Sequence, residues 1–172
     1  MPMVNGLYTM KPLCAGVQAP DFELKDTHGN SHSLGRETAK GTAILVFYKS
    51  ACPTSQFTFP YIQKIFAAMG ETGGCTLWAI SQDELNDTRE FAAGFGFTFL
   101  IDEHPYAVSS AYGLANVPSV FIVEAGGLIS LSDFGFSKAT LEEMSTRMAK
   151  CAGRPPVQLF RPDDGLPATR PG

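Results

Sequence analysis

Apolar residues form a nearly unbroken run from Thr42 to Tyr48 and another from Thr76 to Ile80. Runs of this length without polar alternation mark strands covered on both faces. Between them the period changes. Phe57, Tyr61, Ile62, Ile65, Phe66 and Met69 recur at three- and four-residue spacing, which predicts an amphipathic helix from Pro53 to about Met69, kinked at Pro60. Gly70 to Gly74 ends it. Glu84 to Phe95 predicts a second helix, Thr98 to Ile101 a short extended piece, and Pro105 to Tyr112 a short helix. Ser119–Val123 and Leu128–Phe134 predict two strands joined by a hairpin turn at Glu124-Ala125-Gly126-Gly127. Ser137 is a candidate N-cap for a last helix that runs to about Cys151.

Ahead of this pattern, Ala19 to Leu24 alternates apolar and polar residues, Asp26 to Asn30 reads as a turn, and Ser31 to Leu34 returns as a second strand. A short N-terminal β-hairpin is therefore expected. Residues 1–16 show no period and are expected to form a loose arm, leaving a domain over residues 17–151. Residues 152–172 contain Pro155, Pro156, Pro162, Pro167 and Pro171, with little to bury, and are expected to be an extended or disordered tail. The element order predicts an α/β fold: a central mixed β-sheet with helices on both faces, its two long apolar strands parallel by the crossover rule.

Two places in this pattern carry chemistry. Cys52-Pro53-Thr54-Ser55 follows the first apolar strand and opens the first long helix. A helix N-terminus presents unpaired N–H groups and partial positive charge, both of which favour a thiolate. Pro53 suits the first helical position, and the Ser55 hydroxyl is expected to donate to the sulfur. Lys49 is more readily a solvated surface charge than part of the site. The second place is Val117-Pro118, directly before the strand Ser119–Val123, where an X–Pro bond can be held cis at a cost of only about 0.5–1 kcal/mol.

Composition narrows the function. The 172 residues are 44% hydrophobic and 17% charged, as in an ordinary globular domain, and the net charge of −4 leaves no footprint for nucleic acid. No apolar stretch reaches membrane-spanning length and Met1 to Leu13 does not read as a signal peptide, so no membrane partner and a cytoplasmic location are expected. Cys14, Cys52, Cys75 and Cys151 are too widely spaced for a zinc site, and His28, His32 and His104 read as surface residues; no metal and no cofactor are expected. Phe95, Phe97, Phe99, Phe134 and Phe136 read as core, with a substrate groove as the alternative. Ser81-Gln82-Asp83 reads as a cap for the helix near Glu84.

With Ala19-Pro20-Asp21-Phe22-Glu23-Leu24, the Cys52 site, Thr58-Phe59-Pro60 and Val117-Pro118-Ser119 in this order, the chain resembles the redoxin branch of the thioredoxin superfamily from about Val17 to Met148. That branch includes the peroxiredoxins (alkyl hydroperoxide reductase / thiol-specific antioxidant) and the thioredoxin-like proteins of cytochrome maturation. The resemblance implies a thioredoxin-like fold with Val117 and a cis-Pro118 packed against Cys52. The peroxiredoxin threonine falls on Lys49, the motif's proline on Leu45 and the peroxide-holding arginine on Pro118. The resolving cysteine of a dithiol oxidoreductase is replaced by Ser55, the buried acid of thioredoxin falls on Val46, and the cytochrome-maturation glutamate falls on Thr58.

The expected activity is thiol–disulfide exchange through Cys52 and Ser55, with Pro53, Thr54, Val117 and Pro118 presenting the substrate. A mixed disulfide with a protein or glutathione would be resolved by an external thiol, or by Cys14, Cys75 or Cys151. One alternative is an antioxidant, peroxiredoxin-like thiol peroxidase acting on a hydroperoxide. The other is a non-catalytic thioredoxin-fold binding module.

Overall fold

A computed structural model describes residues 11–172; the part of the expected arm before Lys11 lies outside the described residues. The chain runs through β1 (Glu23–Asp26), β2 (Ser31–Ser33), α1 (Leu34–Thr38), β3 (Thr42–Tyr48), α2 (Pro53–Met69), β4 (Cys75–Ser81), α3 (Leu85–Ala92) and β5 (Thr98–Ile101). It continues through α4 (Ala107–Ala111), β6 (Ser119–Val123), β7 (Ile129–Phe134), β8 (Phe136–Ser137), α5 (Lys138–Ala152) and β9 (Thr169–Arg170). Seven strands form one mixed sheet in the order β2-β1-β5-β4-β3-β6-β7, the thioredoxin-like arrangement the element order predicts. No described helix is long and apolar enough to cross a membrane.

β3 is the centre of the sheet because it can be buried on both faces. It pairs in parallel with β4 (Thr42↔Cys75 to Tyr48↔Ser81) and antiparallel with β6 (Ala43↔Val123 to Phe47↔Ser119). Alternate side chains point to opposite faces. Ile44, Val46 and Tyr48 pack with Phe59, Ile62 and Ile65 of α2 and with Met144 and Met148 of α5. Ala43, Leu45 and Phe47 pack on the other side with Leu34, Trp78, Tyr112 and Phe121. Each large side chain buried this way contributes about 1.5–3 kcal/mol.

Several elements depart from the sequence pattern for local reasons. The first strand begins at Glu23 rather than Ala19: Pro20 has no N–H, and the Asp21 carboxylate takes the N–H groups of Phe22 (2.9 Å) and Gly35 (2.8 Å). Leu34, expected in a strand, opens the helix α1, whose N-cap Ser33 accepts from the Arg36 N–H at 3.4 Å. The last helix follows the pattern, with the Ser137 hydroxyl capping the Thr140 N–H at 3.2 Å.

Both ends of the described chain are more tightly held than the pattern suggests. Leu13 N–H donates to Tyr112 at 3.1 Å and Gly16 N–H to Ile129 at 2.8 Å, which lays residues 12–17 along the sheet edge. The proline-rich segment, expected to have little to bury, is well packed. Phe160 is buried against the rings of Tyr61 (5.1 Å) and Phe136 (5.9 Å), and Val157 N–H donates to the buried Ser145 hydroxyl at 2.8 Å. Lys138 pairs with Asp164 at 2.7 Å, and β9 pairs antiparallel with β8. A few apolar side chains spaced between prolines are enough to anchor such a chain, because the prolines have already given up much of its conformational entropy.

The β1–β2 turn is organised by one carboxylate. Asp26 accepts from the N–H of His28 (2.8 Å) and Asn30 (3.0 Å), the Asn30 amide (3.2 Å) and His32 Nε2 (2.9 Å). Burial pushes its pKa up, but the hydrogen bonds from His32, Asn30 and His28 outweigh that and hold it well below 3.8. A depressed folded-state pKa adds stability above the unfolded value that is lost as the pH falls through the folded one. Asp26→Ala is expected to lower the unfolding free energy by about 1–3 kcal/mol at neutral pH. Urea titrations should show the gap from wild type narrowing as the pH falls below 3.8.

Candidate active site

β3 and β4 are parallel neighbours, so the loops that follow them emerge on the same edge of the sheet. The loop after β3 carries the cysteine and the loop after β4 holds it in place. Ser50 N–H donates to the Asp83 carboxylate at 2.7 Å, Cys52 N–H to the Lys49 carbonyl at 3.1 Å, and the Gln56 side chain to the Ser50 carbonyl at 2.8 Å. Ser81-Gln82-Asp83 therefore does not cap α3 as expected. Its N-cap residue, Glu84, makes no side-chain capping bond, and the Ser81 hydroxyl pairs with Thr88 at 2.8 Å. Asp83 is a site residue that the sequence reading missed. Its signal was its place at the end of the strand next to the one that feeds Cys52.

Cys52 is the N-cap of α2, with extended backbone angles (φ −77°, ψ 118°), and Pro53 is the first helical residue. The sulfur accepts from the Ser55 N–H at 3.4 Å. Its S–H donates to the Val117 carbonyl at 3.3 Å, and the Val117–Pro118 bond is cis. The structure thus brings Cys52, Pro53, Thr54, Val117 and Pro118 together. The carbonyl accepts from S–H, so loss of that proton would leave Val117 free to accept from another donor.

Ser55 is present but not in the expected role. Its backbone, not its hydroxyl, reaches the sulfur; the Oγ is fully buried and has no hydrogen-bond partner. Thr54 is also committed, its hydroxyl donating to the Pro171 carbonyl at 2.7 Å. Lys49 is exposed. At the two positions where the resemblance implies an acid, Val46 is buried in the sheet and the Thr58 hydroxyl donates to the Thr54 carbonyl at 2.7 Å. Tyr48 is buried beneath the loop with its hydroxyl unpartnered, and burial, with Asp83 adding to it, pushes the phenol well above its usual range.

The described cysteines are all free thiols. Cys75 is opposite Thr42, at the far end of β3 from the site, and six residues of strand at about 3.3 Å each put it about 20 Å away. It is buried, and burial together with neighbouring Cys151 pushes its thiol up to about 12. Cys151 belongs to that same far end, and Cys14 is exposed, its S–H toward the Pro12 carbonyl.

Of the histidines, His28 and His104 are exposed as expected. His32 is instead half-buried, bonded to Asp26 and edge-on to Trp78 at 5.6 Å. Among the described residues no three His, Cys, Asp or Glu are grouped to hold a metal ion. Phe97, Phe99 and Phe136 are core, Phe95 packs against it, and Phe134 is 51% exposed opposite Ser119.

Residues 15–132 match the AhpC/TSA family. Thiol-disulfide oxidoreductase ResA of Geobacillus thermodenitrificans (strain NG80-2) is 29% identical over 119 residues, 68% of this chain and 67% of that protein. ResA of Halalkalibacterium halodurans is 27% identical over 132 residues, 75% of this chain and 74% of that one. The crystal structure of the thioredoxin domain of a thiol-disulfide oxidoreductase from Bacteroides vulgatus has a TM-score of 0.68 at 20% identity, covering 78% of this chain and 97% of that chain, a likeness of fold. The family match spans both the Cys52 loop and the Val117-Pro118 turn, and on that match the chain belongs to the AhpC/TSA family.

Proposed function

We propose that this protein is a thiol–disulfide oxidoreductase that works through the single nucleophile Cys52. One observation carries the reading: the Cys52 sulfur sits between a helix N–H and the Val117 carbonyl, with no second cysteine beside it. The names of the ResA relatives point the same way.

In the first step Cys52 gives its proton to solvent and the thiolate attacks one sulfur of a substrate disulfide. A bond forms between the two sulfurs, the substrate S–S bond breaks, and the leaving sulfur departs as thiolate and takes up a proton. In the second step an external thiol, as thiolate, attacks the substrate sulfur of the mixed disulfide and releases Cys52. Ser55 cannot take that role, because a hydroxyl forms no disulfide. Peroxide reduction is the less favoured chemistry. Among the described residues the sulfur's hydrogen-bond partners are both main-chain groups, not side-chain donors of the kind that polarise an O–O bond.

Three outcomes test this. Incubation with oxidised glutathione should give one mixed disulfide, mapped to Cys52 by mass spectrometry, that persists until an external thiol is added. The Cys52→Ser protein should form none at that position, and a wild type without the adduct overturns the reading in favour of a binding module. Ser55→Cys puts a thiol three residues on from Cys52 and should shorten the mixed disulfide's lifetime by at least about tenfold. Finally, Cys75 should resist alkylation in the folded protein at pH 8, reacting at least about a hundredfold more slowly than Cys52 and becoming labelled only on unfolding.

A further inference from the structure

The segment after the last helix crosses the mouth of the active site. Lys138 N–H donates to the Ala168 carbonyl at 2.9 Å, and β9 pairs with β8 through Phe136↔Arg170 and Ser137↔Thr169. The Thr54 hydroxyl, in the first turn of the cysteine's helix, donates to the Pro171 carbonyl at 2.7 Å. Gly172 then passes so close to Val117 that a Cβ there would stand 2.2 Å from the Val117 carbonyl oxygen, the atom that accepts from Cys52. Gly135 leaves similar room beside it: its φ is +75°, and a Cβ would lie 2.3 Å from the Arg170 carbonyl oxygen. The Arg170 guanidinium lies over the Phe57 ring at 5.2 Å.

Most of these contacts are made by main chain, so the surface is shaped to take an extended backbone. An extended polypeptide bringing its sulfur to Cys52 would run along the exposed backbone beside Val117 and compete for the space Gly172 fills. The resident segment is held lightly: residues 169–172 are exposed, the β8–β9 ladder is two residues long, and Pro171 has no N–H to give. Cys52 itself is half-buried rather than sealed. A small disulfide can reach the sulfur past the segment; a polypeptide has to lift it.

We propose that Ala168–Gly172 is a substrate-selecting strap, which excludes polypeptides from the edge beside Cys52 until it is displaced while leaving small thiols and disulfides free to react. The proposal deepens the exchange reading and rests on it for the competitor's chemistry, a polypeptide bearing a disulfide or thiol. It does not need Cys52 to react in order to be tested.

Two variants release the strap. One ends at Leu166, keeping Phe160 and the rest of the packed segment. The other, Gly172→Val, keeps the chain's length and drives a branched side chain into the Val117 carbonyl. In a Cys52→Ser background, a dye-labelled unstructured ten-residue peptide with a central cysteine should bind both variants about tenfold more tightly than the full chain by fluorescence anisotropy, as expected for a site its strap occupies about 90% of the time. With Cys52 intact and Cys14 and Cys151 changed to serine, exchange with the mixed disulfide of that peptide should rise by the same factor. Exchange with hydroxyethyl disulfide should change less than twofold. Equal peptide affinity in strapped and unstrapped proteins overturns the strap. An equal rise for the small disulfide overturns its selecting role and makes it a plain shield. Tighter peptide binding with no exchange by any variant upholds the strap and sinks the exchange reading.

Discussion

The site depends on the contact between the Cys52 sulfur and the carbonyl of Val117, 65 residues later in the chain. The register of β3 against β6 aligns that contact. Phe47 lies opposite Ser119, so the loop leaving β3 and the turn entering β6 meet at the same edge of the sheet. Moving one strand by a single residue would separate the two groups. It would also turn Ile44, Val46 and Tyr48 away from α2, because alternate residues face opposite sides. The hydrophobic pattern that buries β3 on both faces therefore also aligns Cys52 with Val117, and the candidate site inherits the rigidity of the core.

Among the described residues the sulfur's hydrogen-bond partners are main chain, the Ser55 N–H and the Val117 carbonyl, and the Asp83 carboxylate of the neighbouring loop accepts from the Ser50 N–H that shapes the cysteine loop. Such a framework orients the sulfur through the main chain. Cys75 is buried at the opposite end of β3, out of reach of Cys52, and burial suppresses its ionisation.

The sequence was most legible where one segment decides its own structure. β3 and β6 match their apolar runs, α2 its helical period, and α5 its serine cap. The cysteine and the Val117-Pro118 turn were legible because each sits where a strong local pattern changes. Less legible was whatever depends on a partner far along the chain. Asp83 looks like a helix cap until β4 sets it beside Ser50. The Ser55 hydroxyl looks available until the turn of α2 buries it. Prolines suggested a tail with little to bury, yet Phe160 finds a place between Tyr61 and Phe136, which no local rule could announce.

That last failure changes how the site itself is understood. With residues 153–172 loose, Thr54 would be a free hydroxyl in the first turn of α2, and the space beside Val117 would be open. With them packed, the Thr54 hydroxyl donates to the Pro171 carbonyl and Gly172 fills the space beside Val117. Both engagements touch the two elements that frame the sulfur, the first turn of α2 and the turn before β6. The chain that covers the site is thus fixed firmly at Phe160 and lightly at Gly172. Local opening at the light end exposes the site without loosening the core that aligns it.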